Sequence, residues 1–284
     1  MQRFMKEVIK RALGKFGFEL KRTNFRPDFL DRIASNHKSK GLIIEFVGPP
    51  GVGKTTLFNK VFENHWDNWF SKNNMIYLVN KSEKFPFNFL EDKEERMYNE
   101  LLIAKYDEVN EINLPLQKKT LLYDFYVQEL QYDAFARYSD IPKGLILEEG
   151  IIHNFGTNIV DFYANSYRRK IGEEFFHYIF FNRSIICLEA SVEYIVNNLK
   201  KRSIEHPNFA DEFYRFFGYN EAKKVVEKDL SINSKLLAIA DRYKASTLKL
   251  NTETGVQSEL IQEINGFITN EMNNHNSFRK THAG

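Results

Sequence analysis

The sequence predicts an α/β fold in which a five-stranded parallel sheet is flanked by helices. Short apolar segments alternate with helical segments along the chain, and the apolar segments have the composition of buried strands. The strand candidates are residues 41–47, 75–79, 144–148, 184–189 and 247–250. Strands that alternate with helices are typical of a parallel sheet covered on both faces. The length of 284 residues fits one large domain or one domain with appendages.

The first 39 residues are predicted to form a basic amphipathic helix and a linker. Over residues 1–22, apolar side chains recur at helical spacing and basic side chains fill much of the remaining surface. The apolar set is Phe4, Met5, Val8, Ile9, Ala12, Leu13 and Phe16, and the basic set is Lys6, Lys10, Arg11 and Lys15. Such a helix either lies on an anionic membrane surface or packs against the main domain or a protein partner. The polar stretch that follows contains Pro27, which favours a linker.

The main domain is predicted to span residues 40–270. Residues 81–140 are rich in charged and aromatic side chains, and we interpret them as a helical insert interrupted by Pro86 and Pro115. Helices are expected at 55–64, 91–108, 120–138 and 256–268. The polar residues from 271 to 284 are predicted to be a frayed tail.

One segment has the pattern of a phosphate-binding loop. Residues 48–55 read G-P-P-G-V-G-K-T, which fits G-x-x-x-x-G-K-[ST] (the Walker A motif) and lies between a predicted strand and a predicted helix. Glycines let the backbone wrap closely around phosphate oxygens, and the N–H groups and the helix N-terminus then attract the anion. The predicted nucleotide-binding residues are Gly48, Pro49, Pro50, Gly51, Val52, Gly53, Lys54, Thr55 and Thr56. Lys54 is expected at the β/γ-phosphates, and the Thr55 hydroxyl at a Mg²⁺ ion. The sequence therefore predicts a P-loop NTPase fold that binds ATP with Mg²⁺.

Two acids follow the third predicted strand. An acid at the carboxyl end of such a strand faces the Mg²⁺ site of a phosphate-loop fold. Because adjacent residues on a strand point to opposite faces, only one of Glu148 and Glu149 is expected to face the metal, unless the strand has already ended. We favour Glu148 for Mg²⁺, through water, and Glu149 for the substrate or the nucleophile. Two solvated acids at a strand end remain the alternative.

Several other charged residues are candidates for the site. A lid is predicted at 200–220, and a cation on it would neutralise the transferred phosphoryl group. Arg202 is the first choice for this cation, with Lys201 next. A solvated helix end is the alternative for both. Arg168 and Arg169 either bind an anionic substrate or form a solvated face. His153 is a weak catalytic candidate, and Glu45, an acid inside an apolar strand, needs a partner whose identity the sequence does not give.

Composition excludes several classes of protein. The net charge of +2 argues against a nucleic-acid binder. The single cysteine, Cys187, cannot form an internal disulfide and is interpreted as a small buried hydrophobe in a reducing compartment. No apolar run approaches the roughly 20 residues that span a bilayer. We therefore expect a cytoplasmic protein, with residues 1–22 as the segment for any contact with the inner face of a membrane.

These motifs give the chain a resemblance to a known family. It resembles the P-loop kinases of the nucleoside- and nucleotide-kinase type, the thymidylate-kinase-like group, over roughly residues 40–270. The resemblance depends on the strand that leads into the phosphate loop, on the acids after the third strand, on 186–191 with the downstream Lys201 and Arg202, and on 248–252. It implies a five-stranded sheet, a lid after the fourth strand, and contact between Thr252 and the nucleotide base.

Two features set the chain apart from that group. Thymidylate kinases carry Asp-Arg after the third strand, where this chain has Glu148 and Glu149, and the insert at 81–140 is longer and more aromatic. The opening segment at 14–20 is similar to the starts of some enzymes from bacterial surface-polysaccharide gene clusters, which implies a sugar or glycolipid acceptor. The expected function is transfer of the γ-phosphoryl of Mg-ATP to a hydroxyl or phosphate of a small molecule. The alternative is a P-loop ATPase or nucleotide switch that regulates or assembles a surface-polysaccharide machine, and the oligomeric state stays open.

Overall fold

The computed structural model describes residues 41–65, 69, 72, 92–138, 144–165, 172–205 and 212–282. The predicted N-terminal helix and linker, the strand at 75–79 and the cationic pair Arg168–Arg169 lie outside the described residues. What is described is a helix-rich α/β fold around a parallel sheet.

The sheet of the described residues has four strands rather than the predicted five. They are β1 (Ile43–Val47), β2 (Leu145–Leu147), β3 (Arg183–Glu189) and β4 (Ser246–Asn251). Their order is β2-β1-β3-β4, and every neighbouring pair is parallel. The continuous apolar runs of β1, a central strand, and β2, an edge strand of the described sheet, are both fully buried, as expected for a parallel sheet that helices cover on both faces.

Nine helices surround the sheet in the described part of the chain. They are α1 (Lys54–His65), α2 (Asp92–Glu111), α3 (Leu116–Tyr138), α4 (Ile151–Asn154), α5 (Gly156–Ala164), α6 (Glu173–Phe180), α7 (Val192–Glu205), α8 (Glu212–Arg242) and α9 (Gln257–His282). The backbone of α8 is kinked at Gly218, whose φ of 69° is outside the helical region. The prediction of two helices in the insert is confirmed by α2 and α3, which Pro115 separates.

Two apolar layers form the core, one on each face of the sheet. Along β3, Ile185 and Cys187 face the layer that contains α4, α5 and α6, and Ile186 and Leu188 face the layer that contains α1 and α9. This alternation is the period of two expected of a strand. The burial of Cys187 raises the pKa of its thiol to about 12, which confirms its interpretation as a buried hydrophobe.

The last helix continues beyond its predicted end at residue 268. Helix α9 extends to His282, where the sequence suggested a frayed tail. Met272 packs against the core, and Ser184 of β3 donates a hydrogen bond of 2.6 Å to Glu271. These contacts hold a polar segment in a helix whose own sequence shows little apolar periodicity.

None of the described helices is long and apolar enough to cross a membrane.

A buried ionic network joins the insert to the sheet. Arg183 of β3 forms ion pairs with Glu45 of β1 and with Asp133 of α3. Arg137, one turn beyond Asp133, donates to the same carboxylate at 2.8 Å and to the carbonyl of Ile179 at 2.8 Å. All four charged side chains are at most 2% exposed, and their two positive and two negative charges balance. Because buried charges need partners, this network fixes α3 against β1 and β3.

Candidate nucleotide-binding site

The backbone between β1 and α1 has the geometry that a phosphate loop requires. Gly48, Gly51 and Gly53 have φ angles of 154°, 85° and 99°, a region that side-chain-bearing residues rarely adopt. A Cβ at Gly48 would lie 2.7 Å from the carbonyl oxygen of Leu188, so the loop also needs glycine there to pass over β3. The three glycines of the motif are therefore explained by conformation and by close approach.

Helix α7 supports the loop from the side. The Asn198 amide donates a hydrogen bond of 3.1 Å to the Gly51 carbonyl, and a Cβ at Gly51 would lie 2.8 Å from the Leu199 side chain. Arg202 lies one turn beyond Asn198 on the same helix, and its side chain is exposed. This placement is compatible with the role predicted for Arg202, while residues 206–211 of the predicted lid lie outside the described residues.

The Lys54 ammonium lies inside the loop. Lys54 is 6% exposed, and its Nζ donates to the carbonyls of Gly48 at 2.7 Å and Pro49 at 3.3 Å. The same atom is 3.4 Å from Oε1 of Glu149. The ammonium is therefore held at the glycine loop by two carbonyls and one carboxylate, at the position from which the lysine of a phosphate loop reaches the β/γ-phosphates.

Both acids after β2 point toward the loop. Strand β2 ends at Leu147, so the alternation of a strand no longer applies to the two residues that follow. The Thr55 hydroxyl donates a short hydrogen bond to Glu148, and Glu149 contacts Lys54. The geometry thus brings Thr55 and Glu148 together, as predicted for the metal pair, and brings Glu149 to the lysine.

The two acids differ in their electrostatic surroundings. Burial raises the pKa of Glu148 above its ordinary value, although the Thr55 hydroxyl opposes the change. Burial alone would also raise the pKa of Glu149, but His153 and the Lys54 cation lower it below its ordinary value. A negative charge is thus favoured on Glu149, next to the lysine.

The residues also fit a Mg²⁺ ion of the kind that nucleotides carry. No cluster of three or more Asp, Glu, His or Cys side chains suited to holding a metal occurs among the described residues. Mg²⁺ bound with a nucleotide needs only one or two protein ligands, because phosphates and waters complete its coordination. Thr55 and Glu148 supply that number.

His153 lies behind Glu149. Its Nε2 is 3.4 Å from Oε1 of Glu149, so the lysine and the histidine contact the same carboxylate oxygen. Burial, with the nearby Lys54 cation, lowers the pKa of His153 to about 4. The ring is therefore neutral at physiological pH, where it makes a polar contact with Glu149, and its positive charge acts on the pKa of Glu149 only in the acidic range where both groups titrate.

Sequence reasoning missed Glu129, an acid of α3 next to this cluster. Glu129 is 3% exposed, forms an ion pair with Lys72 and accepts a hydrogen bond of 3.2 Å from the Asn154 amide. Burial raises its pKa to about 7 despite Lys72, and the charges of Glu45 and Glu149 add to the increase. No local motif marks this residue, because its neighbours come from 25 and 57 positions away in the chain.

Thr252 and Thr56 lie at the edges of the loop. The Thr252 hydroxyl donates a hydrogen bond of 2.9 Å to the carbonyl of Val52, so its described contact is with the phosphate loop itself. Contact of Thr252 with a nucleotide base stays a prediction. Thr56 is exposed in the first turn of α1.

The chain was compared with known proteins. Its sequence matches no protein family and no curated protein. Two solved structures of a deoxyadenosine kinase from M. mycoides, one with bound dCTP and one with bound dATP, resemble it at 14% and 13% identity. Each has a TM-score of 0.38, and the match covers 82% of this chain and 100% of the kinase. At this level of similarity, any function for the chain depends on the geometry of its own site.

Replacing Thr55 by valine tests the metal pair. The variant keeps the shape of the side chain and loses the hydroxyl that contacts Glu148. We expect ATP affinity without Mg²⁺ to stay as in the wild type, and the Mg²⁺ concentration for half-maximal ATP binding to rise at least ~10-fold. Calorimetric titration at fixed ATP measures both. Thr269→Val is the control, because that hydroxyl is exposed on α9 and bonds only its own helix; equal Mg²⁺ dependence in the two variants would refute the pair.

The raised pKa of Glu129 predicts a pH dependence of stability. With a pKa of about 7 in the fold and an ordinary value of 4.5, the folded state holds the proton that the unfolded state releases. The folded state thus binds more protons between about pH 4.5 and 7, and the free energy of unfolding falls as pH rises through that window. In Glu129→Gln, the decrease in the free energy of unfolding across this pH window should be smaller by roughly 3 kcal/mol, as measured by urea titrations. Glu95→Gln, an exposed substitution on α2, should leave the slope unchanged; a slope that also survives in Glu129→Gln would contradict the assignment.

Proposed function

We propose that this chain is an ATP-dependent kinase that transfers the γ-phosphoryl group of Mg-ATP to a small-molecule acceptor. One observation supports this most strongly: Lys54 and Thr55 follow the glycine loop at the carboxyl end of β1, and Glu148, which follows β2, contacts the Thr55 hydroxyl. A phosphate cradle, a cation for the β/γ-phosphates and a hydroxyl–carboxylate pair for Mg²⁺ are the parts that phosphoryl transfer needs.

Each residue then has a defined task. The loop amides bind the phosphates, and Lys54 moves from the Gly48 carbonyl to a phosphate oxygen. Thr55 and Glu148 would hold Mg²⁺, which neutralises developing negative charge on the transferred group. Glu149, freed when Lys54 moves and still beside His153, is placed to accept a hydrogen bond from the acceptor hydroxyl or to orient it.

The acceptor is proposed to bind beside α2, α3 and α4. Lys105 of α2 lies 4.9 Å above the Tyr126 ring, and Lys72 lies 4.9 Å above the Phe125 ring, on the side of α3 that carries Glu129. Such a wall of aromatic, basic and acidic side chains supports a specific acceptor of a sugar, glycolipid, nucleoside or nucleotide type. Arg202 is proposed to complete the charge around the transferred group.

The test is transfer from γ-labelled Mg-ATP to a panel of sugars, glycolipids, nucleosides and nucleotides. We expect labelled product with at least one acceptor, and formation of that product about 10²–10³-fold slower with Lys54→Met. ATP hydrolysis with no transfer of label to any acceptor of the panel would contradict the kinase assignment. Such hydrolysis, stimulated by a protein partner or by anionic vesicles, would favour the nucleotide switch instead.

A further inference from the structure

Glu45 is a buried acid that the proposed chemistry does not use. It lies in the middle of β1 and is 0% exposed. Its Cα pairs in register with Leu147, the last residue of β2. Its side chain is therefore next to the point where the chain leaves the sheet and continues into Glu148 and Glu149.

The Glu45 carboxylate holds the far end of that segment. One oxygen, Oε1, accepts hydrogen bonds from the backbone N–H of Gly150 at 3.0 Å and from that of His153 at 2.7 Å. A Cβ at Gly150 would lie 2.8 Å from this carboxylate, so a glycine is needed for the chain to pass so close. Because N–H groups at the start of a helix have no partner within the helix, Glu45 satisfies donors that α4 leaves open.

The second oxygen of Glu45 is fixed by a cation. Arg183 pairs with it and is in turn held by Asp133, so the carboxylate has one orientation within a rigid network. Burial raises the pKa of Glu45, and Arg183 together with the His153 N–H opposes that increase. The carboxylate thus has partners on both oxygens and little freedom to turn.

Two anchors consequently enclose the two acids of the site. Leu147 is fixed by the sheet register with Glu45, and Gly150 is fixed by the hydrogen bond to the same side chain. Only Glu148 and Glu149 lie between them. We infer that Glu45 is a positioning residue that sets both acids against the phosphate loop and thereby the affinity of the site for Mg²⁺ together with ATP.

This inference rests on the proposed function, and its test separates the two. Glu45→Gln removes the charge and presents an amide NH₂ to Arg183 or to the two N–H groups. Removal of a group that orients a metal ligand typically costs 10–100-fold in metal affinity. We expect the Mg²⁺ concentration for half-maximal ATP binding to rise at least ~10-fold, with ATP affinity in EDTA unchanged. If wild-type protein binds no Mg-ATP, the proposed function fails; if it binds and Glu45→Gln shows the same Mg²⁺ dependence, the positioning role fails.

Arg137→Met is the matched control. It removes a charge from the same buried network, but Arg137 bonds Asp133 and the carbonyls of Ile179 and Phe181 rather than Glu45, Gly150 or His153. Both variants should unfold at lower temperature, and only Glu45→Gln should change the Mg²⁺ dependence. A similar change in both would reduce Glu45 to a structural role and overturn the inference.

Hydrogen exchange supplies a readout that needs no ligand. In the wild type, the amides of Gly150 and His153 should exchange slowly, because Glu45 accepts from both. In Glu45→Gln they should exchange faster, while amides of β3 stay protected. If the variant does not fold, hydrogen exchange of the wild-type protein alone tests the inference. Rapid exchange at both amides would overturn it.

Discussion

Replacing Lys54 by methionine should lower phosphoryl transfer by about 10²–10³-fold. Methionine has a similar length and no charge, so the variant removes the ammonium that lies in the phosphate loop. The loss has two parts. The β/γ-phosphates lose their cation, and Glu149, 3.4 Å from Nζ, loses its positive neighbour and repels the incoming anion. Affinity for ATP, measured by calorimetry, should fall together with the transfer rate.

Lys60→Met is the control for that variant. Lys60 is exposed on the same helix, α1, and donates a hydrogen bond of 2.7 Å to Gln257. It is therefore a lysine of similar local structure outside the loop. Unchanged nucleotide affinity in Lys54→Met, or an equal loss in both variants, would refute the assignment of the loop.

Replacing Arg183 by methionine should destabilise the fold by about 3–5 kcal/mol. The substitution leaves two buried carboxylates, Glu45 and Asp133, next to each other without their shared cation. Asp133 keeps Arg137, whereas Glu45 loses its only ion-pair partner among the described residues. Urea unfolding monitored by circular dichroism measures the change.

Lys224→Met is its control. Lys224 pairs with Glu221 at 2.6 Å on α8, and both side chains are exposed. Exposed pairs of this kind contribute little to stability, so the midpoint should not move. A midpoint for Arg183→Met that matches this control would mean that the network contributes nothing to the fold.

Asp133 adds a dependence on acid to the same network. Burial alone would raise its pKa, but Arg137 and Arg183 lower it to about 2, below the ordinary 3.8. Its contribution to stability is therefore present above about pH 4 and is lost as pH falls toward 2. The network should thus weaken only under strongly acidic conditions.

The phosphate loop was predictable because its information is local. Eight consecutive residues specify the glycine turn, the buried Lys54 and the Thr55 hydroxyl, and the flanking apolar strand and helix start are recognised from the adjacent sequence. The same holds for the acids after β2. The sequence left open which of Glu148 and Glu149 faces the metal. Because β2 ends at Leu147, both acids reach the first turn of α1, where Glu148 contacts Thr55 and Glu149 contacts Lys54.

The supports of the site were not predictable from the sequence. Glu45 and Arg183 are 138 positions apart, and Arg183 and Asp133 are 50 apart. An acid in an apolar strand shows that a partner is needed, but only the packing of α3 on β1 and β3 shows which cation supplies it. Glu129 is likewise recognised only once Asn154 and Lys72 are next to it. The continuation of α9 past residue 268 was missed because the contacts of Glu271 with β3 and of Met272 with the core depend on packing rather than on a local pattern.

The most direct measurement is a crystal structure with Mg²⁺ and a non-hydrolysable ATP analogue. We expect β- and γ-phosphates bound by the amides of 48–55, with Lys54 Nζ transferred from the Gly48 carbonyl to a phosphate oxygen. We also expect Mg²⁺ at the Thr55 hydroxyl, with Glu148 turned toward the ion. A nucleotide bound elsewhere, with Lys54 still bonded to the Gly48 and Pro49 carbonyls, would contradict the proposed site.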